Sequence, residues 1–247
     1  MRDRLLTAFL SLMALALAGV IGLYLWSLSA VNAPGPLTQG KVLIINPGTG
    51  LSAIARELDD ANIVAHKYLF EWEARRTDQA RDLKPGEYKY DPGVSISAVL
   101  DTLVKRDVVA RFVTIPEGLV SAEIIKIINS AEGLMGGPVG GMADGDLLPE
   151  TYRYEWGDPK ASVIERMRKA RATVLNELWE KRSPDLPITT PEQAMVLASI
   201  VEKETGVAAE RPKVAGVFIN RLKKKMRLQS DPTVIYGVTR GEGVLGR

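Results

Sequence analysis

The chain has 247 residues, 46% hydrophobic and 25% charged, with 32 Lys and Arg against 30 Asp and Glu. A net charge of +2 with both signs interspersed gives no electrostatic footprint for a polyanion, so nucleic acid is not an expected partner. With no cysteine and one histidine, His66, the sequence offers no disulfide, thiolate metal site, lipidated N-terminal cysteine, multi-histidine metal site or His-based triad, which leaves carboxylates for acid–base chemistry.

Residues 5–28 carry no charge and are rich in Leu, Ala, Val and Ile. A membrane-spanning helix takes about 20 apolar residues, and this run is long enough. Arg2 and Arg4 precede it, and residues 29–40 contain no Lys or Arg. The positive-inside rule then predicts a cytoplasmic N-terminus with the remainder exported. Tyr24 and Trp26 stand near the outer end, where amphipathic rings favour the interface. A cleaved signal peptide is the alternative, with Val31-Asn32-Ala33 as a small–x–small site, but signal cores are shorter, about 7–15 residues. Residues 1–30 therefore read as a cytoplasmic stub and transmembrane anchor. Residues 31–40, with Pro34-Gly35-Pro36, read as a linker.

Residues 41–106 predict a small βααβ-like module. A β-branched strand at 42–45 ends in the Asn46-Pro47-Gly48 turn, and Leu51, Ile54, Ala55 and Leu58 follow at helical spacing. A second helix is predicted over 66–76, a strand over 88–90 and a helix over 95–104, capped by Ser95.

Residues 107–247 predict a mixed α/β domain, so the fold class is α+β. A strand is expected over 108–115, the turn Pro116-Glu117-Gly118, and a helix over 121–129. The glycine-rich stretch 133–145 reads as a mobile loop that holds little to pack, and no Gly-Lys-Ser/Thr makes it a phosphate cradle. A charged helix over 162–182 has the stripe Val163, Ile164, Met167, Val174 and Leu178.

Thr190-Pro191-Glu192-Gln193 is a helix start, with Thr190 as cap, Pro191 in the first turn and Gln193 closing a capping box. The helix is predicted to reach Gly206 with Ala194, Leu197, Ala198 and Val201 on its apolar face. Glu204, three residues past Val201, leaves from that face, whereas Glu202 is expected opposite, in solvent. A poorly hydrated carboxyl beside the negative end of a helix favours its protonated form, as a general acid requires. The plainer alternative is a rim glutamate paired with Arg211 or Lys203. The next helix starts near Glu210, with Val214, Val217, Phe218 and Leu222 packed on the Glu204 helix and a solvated basic end at 221–227. A polar loop, Gln229-Ser230-Asp231-Pro232-Thr233, then leads into an expected strand, Val234-Ile235-Tyr236.

The run LASIVEKETGVAAERPKVAGVFINRLKKKMRLQSDPTVIYG, residues 197–237, closely resembles the signature of the MltG/YceG-like endolytic murein transglycosylases. Ile115-Pro116-Glu117-Gly118 and Leu148-Pro149-Glu150-Thr151-Tyr152 are shorter matches, and the 41–105 module resembles the family's LysM-like module. The resemblance implies an inner-membrane enzyme whose periplasmic domain cleaves the β-1,4 bond between N-acetylmuramic acid and N-acetylglucosamine. It leaves 1,6-anhydro ends and terminates nascent strands. It makes Glu204, the second glutamate of Glu202-Lys203-Glu204-Thr205, the catalytic residue. Gln229, Asp231 and Glu150 become candidates for substrate positioning. No metal or organic cofactor is implied; the partners are peptidoglycan glycan strands, the membrane and, as further candidates, peptidoglycan synthases.

Family members continue with a Tyr-Asn-Thr-Tyr block and a Gly-Leu-Pro-Pro-Gly segment, so 107–247 is expected to be a catalytic domain incomplete at its C-terminus. Residues 241–247 show no closing element. The alternatives are a membrane-tethered peptidoglycan-binding protein and a muramidase-type hydrolase, the latter needing a second carboxylate such as Asp231.

Overall fold

The computed structural model describes residues 2–241. These divide into two compact units, one running to Ala110 with Glu155–Gly157 added, the other built from Arg111–Tyr154 and the chain from Asp158 on.

The first unit begins with α1, Arg2–Asn32. Strand β1, Lys41–Ile45, pairs antiparallel with β2, Gly86–Tyr90, with Lys41 opposite Tyr90 and Ile45 opposite Gly86. Between the strands lie α2, Leu51–Asp60, and α3, Lys67–Arg76, and after them α4, Ile96–Lys105. The 3–4 spacing in α2 buries Ile54, Ala55 and Leu58 on one side. They meet Phe70 of α3, Val99 and Leu103 of α4, and the inward rings of Tyr88 and Tyr90 in one core. Ser95 caps α4 as expected, its Oγ accepting from the Ala98 N–H at 3.3 Å.

Residues 31–40 do not form a free linker. Val31 and Leu37 are buried in this core, and the Gly93 N–H donates to the Leu37 carbonyl at 2.8 Å. Gly35 allows the close approach: a Cβ there would lie 2.3 Å from the Val94 carbonyl oxygen.

In the second unit, β3, Arg111–Thr114, pairs antiparallel with β4, Thr151–Tyr154, with Arg111 opposite Tyr154. The expected strand over 108–115 is shorter because the Val109 N–H is already used by the Glu87 carbonyl, at 2.8 Å. The β4 strand was not expected, though Tyr152 and Tyr154 alternate buried with exposed Thr151 and Arg153.

Helix α5, Ser121–Ser130, and helix α6, Lys160–Glu180, cover the pair and close a core of Val113, Ile124, Ile128, Tyr152, Val163 and Met167. Farther along α6, Val174 and Leu178 are exposed and Leu175 is buried in their place. The glycine-rich stretch packs more than expected: Leu134 is buried, and Val139 and Met142 lie against the core. Asn129 pins Val139 through both its side-chain oxygen and nitrogen, each at 3.1 Å.

The unit continues with α7, Pro191–Glu204, a 3₁₀ turn at Ala208–Glu210, α8, Arg211–Lys223, and α9, Asp231–Thr239. The expected strand 234–236 is thus helical. Ser230 at the N-cap position, Asp231 in the first turn and Pro232 beside it are helix-start signals that outweigh the β preference of Val-Ile-Tyr. The reading of 241–247 as lacking a closing element falls, past Gly241, outside the described residues.

Candidate active site

Helix α7 starts and stops where its flanking residues dictate. The Thr190 Oγ1 accepts from the Gln193 N–H at 3.2 Å, whereas the Gln193 side chain accepts from the N–H of Thr189 at 2.7 Å. The expected capping box is therefore displaced by one residue on its return bond. At the other end Thr205 is extended (φ −142°, ψ 130°), so Glu204 is the last helical residue and Gly206 plays no part in the stop. The buried face is Ile200 and Val201 with Leu197 beside them; they pack on Phe218, Val214 and Leu228. Ala198, expected inside, is exposed.

The motif residues after Val201 have separable tasks. Arg211 donates through Nη2 to Glu202 Oε1 at 3.0 Å and to Glu117 Oε2 at 3.1 Å, with Glu202 Oε2 paired at 2.8 Å. This ties the Pro116-Glu117-Gly118 turn to α7 and α8. Gly118 sits there with φ +77°, and a Cβ on it would lie 3.7 Å from the Lys203 Nζ. Buried Thr205 donates its hydroxyl to Glu210 Oε2 at 2.9 Å and accepts from the Val207 N–H at 3.1 Å, holding the turn between the helices.

The ion pair with Arg211 thus belongs to Glu202, which is half-buried and not free in solvent as expected. Glu204 has no ion-pair partner among the described residues. Its Oε2 accepts a hydrogen bond from Ser230 Oγ at 2.9 Å.

Glu204 itself is exposed, and the poorly hydrated pocket expected around it is not found. The physical reason is its terminal position: α7 ends at Glu204, beyond the burial that Ile200 and Val201 receive.

Of the other expected site residues, Gln229 and Asp231 flank Ser230 and so stand beside Glu204; both are exposed. Gln229 has φ +50°, a left-handed conformation uncommon for a side-chain-bearing residue, which turns the chain into α9. Glu150 is elsewhere. Its backbone carbonyl extends the β3–β4 pair by accepting from Ile115 at 3.0 Å. Its side chain lines an open groove of about 390 Å³ with Leu148, Arg166, Lys169, Thr173 and Val174. A cleft of about 400 Å³ in the first unit, bounded by Pro36, Gln39, Lys41 and Asn62, involves none of the expected site residues. Neither of these two cavities is lined by Glu204.

Sequence reading passed over Ser230, though its neighbours on both sides were singled out. It also passed over the Asp144–Tyr236 link. The Tyr236 hydroxyl donates to Asp144 Oδ2 at 2.6 Å, and Asp144 Oδ1 accepts from the Ser121 N–H at 2.6 Å. The bond to this carboxylate pushes the Tyr236 phenol above its ordinary value. α9 is thereby fastened to the start of α5.

A helix-borne carboxyl, gripped on one oxygen and open on the other, can exchange a proton with a bound molecule. Among the described residues no cluster of three or more His, Cys, Asp or Glu could hold a metal ion.

The YceG-like family matches residues 43–247, and the chain belongs to it. The endolytic murein transglycosylase of Bacillus subtilis is 39% identical over 95 residues, 38% of this chain and 26% of the relative. The endolytic murein transglycosylases of two Streptococcus pneumoniae strains, D39 and R6, are each 26% identical across 97% of this chain and 50% of the relative. The chain therefore spans half or less of the length of these curated relatives. A crystal structure of a YceG-like protein from Listeria monocytogenes aligns with a TM-score of 0.42 at 23% identity, over 85% of this chain and 78% of that one.

Proposed function

We propose that this protein is a membrane-anchored lytic transglycosylase that cuts peptidoglycan glycan strands internally, with Glu204 as the single catalytic acid and base. The observation that carries the reading is the division of labour in the motif: Glu202 and Glu210 are taken by Arg211 and Thr205, and Glu204 is left with one grip and no counter-charge. The relatives named endolytic murein transglycosylase supply the reaction class.

The Glu204 carboxylic acid protonates the leaving glycosidic oxygen of the N-acetylmuramic acid–N-acetylglucosamine bond. The muramyl C6 hydroxyl attacks C1, and the carboxylate takes up that hydroxyl's proton. The C1–O4 bond breaks, a C1–O6 bond forms, and the proton count of the enzyme is restored without water. A hydrolase generally needs two carboxylates flanking the bond. Because Glu204 is exposed, the glycan lying over it supplies the exclusion of water that the fold does not. In this reading Gln229 and Asp231, the exposed neighbours of Ser230, contact that glycan; Glu150 belongs to the α6 groove and would act, if on substrate, at a distance along the strand. The first unit serves as the LysM-like module of the proposal, held at the membrane by α1 with the N-terminus in the cytoplasm.

Glu204→Gln tests this directly. Digestion of purified sacculi by the wild type should release muropeptides with 1,6-anhydro ends, and the variant should release at least about 10³-fold less, as expected when the proton donor is removed. Equal release by both proteins ends the enzymatic reading. Reducing ends in place of anhydro ends turn it to a muramidase.

A further inference from the structure

We infer that Ser230 is the positioning residue of the site: its hydroxyl fixes the Glu204 carboxyl in the orientation that proton exchange with the glycan requires. The inference rests on the reading of Glu204 as the acid and base.

Ser230 occupies the N-cap position of α9. A serine there ordinarily turns its oxygen onto the N–H of the second or third helical residue. Ser230 does not. Its side chain makes no cap hydrogen bond, and the first turn is closed through its backbone carbonyl, which accepts from the Thr233 N–H at 3.0 Å and the Thr233 hydroxyl at 2.6 Å. The Oγ is aimed instead at Glu204 Oε2, 2.9 Å away and 26 residues back in the chain.

Burial sharpens the contrast. Ser230 is 2% exposed whereas its partner carboxylate is exposed, so the bond runs from inside the protein outward. Oε2 is held on the protein side; Oε1 has no partner among the described residues. Among the described residues no ion pair and no second hydrogen bond restrains the carboxyl. It stands at the end of α7, and the terminal torsion of a glutamate is broad and roughly two-fold.

Proton exchange at two substrate oxygens in turn, O4 and then O6, asks that one carboxyl oxygen keep its place through both steps. A misplacement of about 1 Å in such a geometry costs on the order of 10²-fold in rate. The surroundings of Ser230 point the same way. Gln229 takes up a left-handed φ of +50° immediately before it, and the Tyr236–Asp144 bond at 2.6 Å holds the far end of the same helix. Backbone and helix are both set so that this hydroxyl, in this direction, is kept.

The test compares wild type, Ser230→Ala, Ser230→Thr and Glu204→Gln, each as the whole chain in detergent, on uncrosslinked glycan strands of defined length, with kcat and KM measured separately and melting temperature recorded. Ser230→Ala should lower kcat by about 10- to 100-fold with KM within about twofold of wild type and little change in melting temperature. Ser230→Thr, which keeps the hydroxyl, should recover most of kcat. A Ser230→Ala enzyme with wild-type kcat, or one whose loss tracks a lower melting temperature and is not recovered by Ser230→Thr, overturns the positioning role. Activity unchanged in Glu204→Gln, or absent from the wild type, strikes the functional reading instead, and so separates the two failures.

Discussion

Arg211 shows how one side chain organises the motif without touching the reacting carboxyl. Its guanidinium holds Glu202 and Glu117 on the same nitrogen, and its Nε is buried without a hydrogen-bond partner. Exposure decides which contact matters. The Glu117 side chain is 60% exposed, so that arm is a screened surface pair worth a few tenths of a kcal/mol. Glu202 is 28% exposed and Arg211 34%, and that arm is the stronger one. Glu117→Gln should change stability by less than about 0.5 kcal/mol. Arg211→Ala, which also strips packing from the start of α8, should cost about 1–2 kcal/mol. Arg211→Lys should recover only part of this, because the shorter side chain reaches less far and its ammonium is more strongly hydrated than the guanidinium. Denaturant melts of the three variants rank them; a Glu117→Gln loss as large as that of Arg211→Ala contradicts this assignment.

At the scale of elements, β2 carries a contrast that stability measurements can resolve. Tyr88 and Tyr90 are both buried, but the Tyr88 hydroxyl donates to the Lys84 carbonyl at 2.7 Å whereas the Tyr90 hydroxyl has no hydrogen-bond partner among the described residues. Tyr88→Phe should lose about 1 kcal/mol, and Tyr90→Phe should be neutral or stabilising, since an unsatisfied buried hydroxyl costs about 1–3 kcal/mol. Burial pushes the Tyr88 phenol up to about 12 and raises that of Tyr90 further. A phenol whose folded value lies above its unfolded one stabilises fully below about pH 10 and loses that contribution as pH climbs toward the folded value. The first unit should therefore lose stability from pH 10 upward, and the double Phe variant should flatten that slope. An alkaline slope identical in both proteins rejects this.

These same elements show what was legible in the sequence. The α+β class, the capped start of α4 at Ser95, the Thr190-Pro191 start of α7 and the packing of α8 on α7 all follow from local spacing and capping, which act within a few residues. What was missed depends on distant partners. β4 is too short to announce itself without β3 beside it, and α9 looked β-branched because its start signals were assigned to a loop. The glycine-rich stretch looked empty because the Asn129 clamp on Val139 lies outside it. At the site, spacing did not give the depth of Glu204. A helix that stops at the residue in question leaves it exposed, and the stop was set by extended Thr205, not by Gly206. Ser230 was hidden because it was read as one residue of a polar loop, and its hydroxyl's partner lies 26 residues back in the chain.

For the whole molecule, α1 is the candidate membrane anchor. Among the described residues it is the one helix long and apolar enough, by length and composition, to cross a membrane, with a mean hydropathy of 2.1 over Phe9–Asn32. From Phe9 to Trp26 its side chains are exposed, and from Ser27 on it enters the first unit, where Ser27 and Val31 are buried. Tyr24 meets Trp72 of α3 edge to face at 6.1 Å between ring centroids. The bare stretch of roughly 18 residues is about 27 Å long at 1.5 Å per residue, close to the hydrocarbon thickness of about 30 Å. The helix continues unbroken into the first unit, and Gly35 and Leu37 lock the chain after it, so α1 and that unit are held together. In the proposed arrangement the charges of Arg2 and Arg4 favour an N-terminus inside. The absence of cysteine makes this directly measurable, because any thiol introduced is the sole thiol in the protein. With the outer envelope permeabilised and the plasma membrane intact, a membrane-impermeant maleimide should label Thr38→Cys, while Asp3→Cys should react only after detergent is added. Labelling of Asp3→Cys in intact membranes, or extraction of the wild type by alkaline carbonate alone, contradicts the anchored, N-inside arrangement.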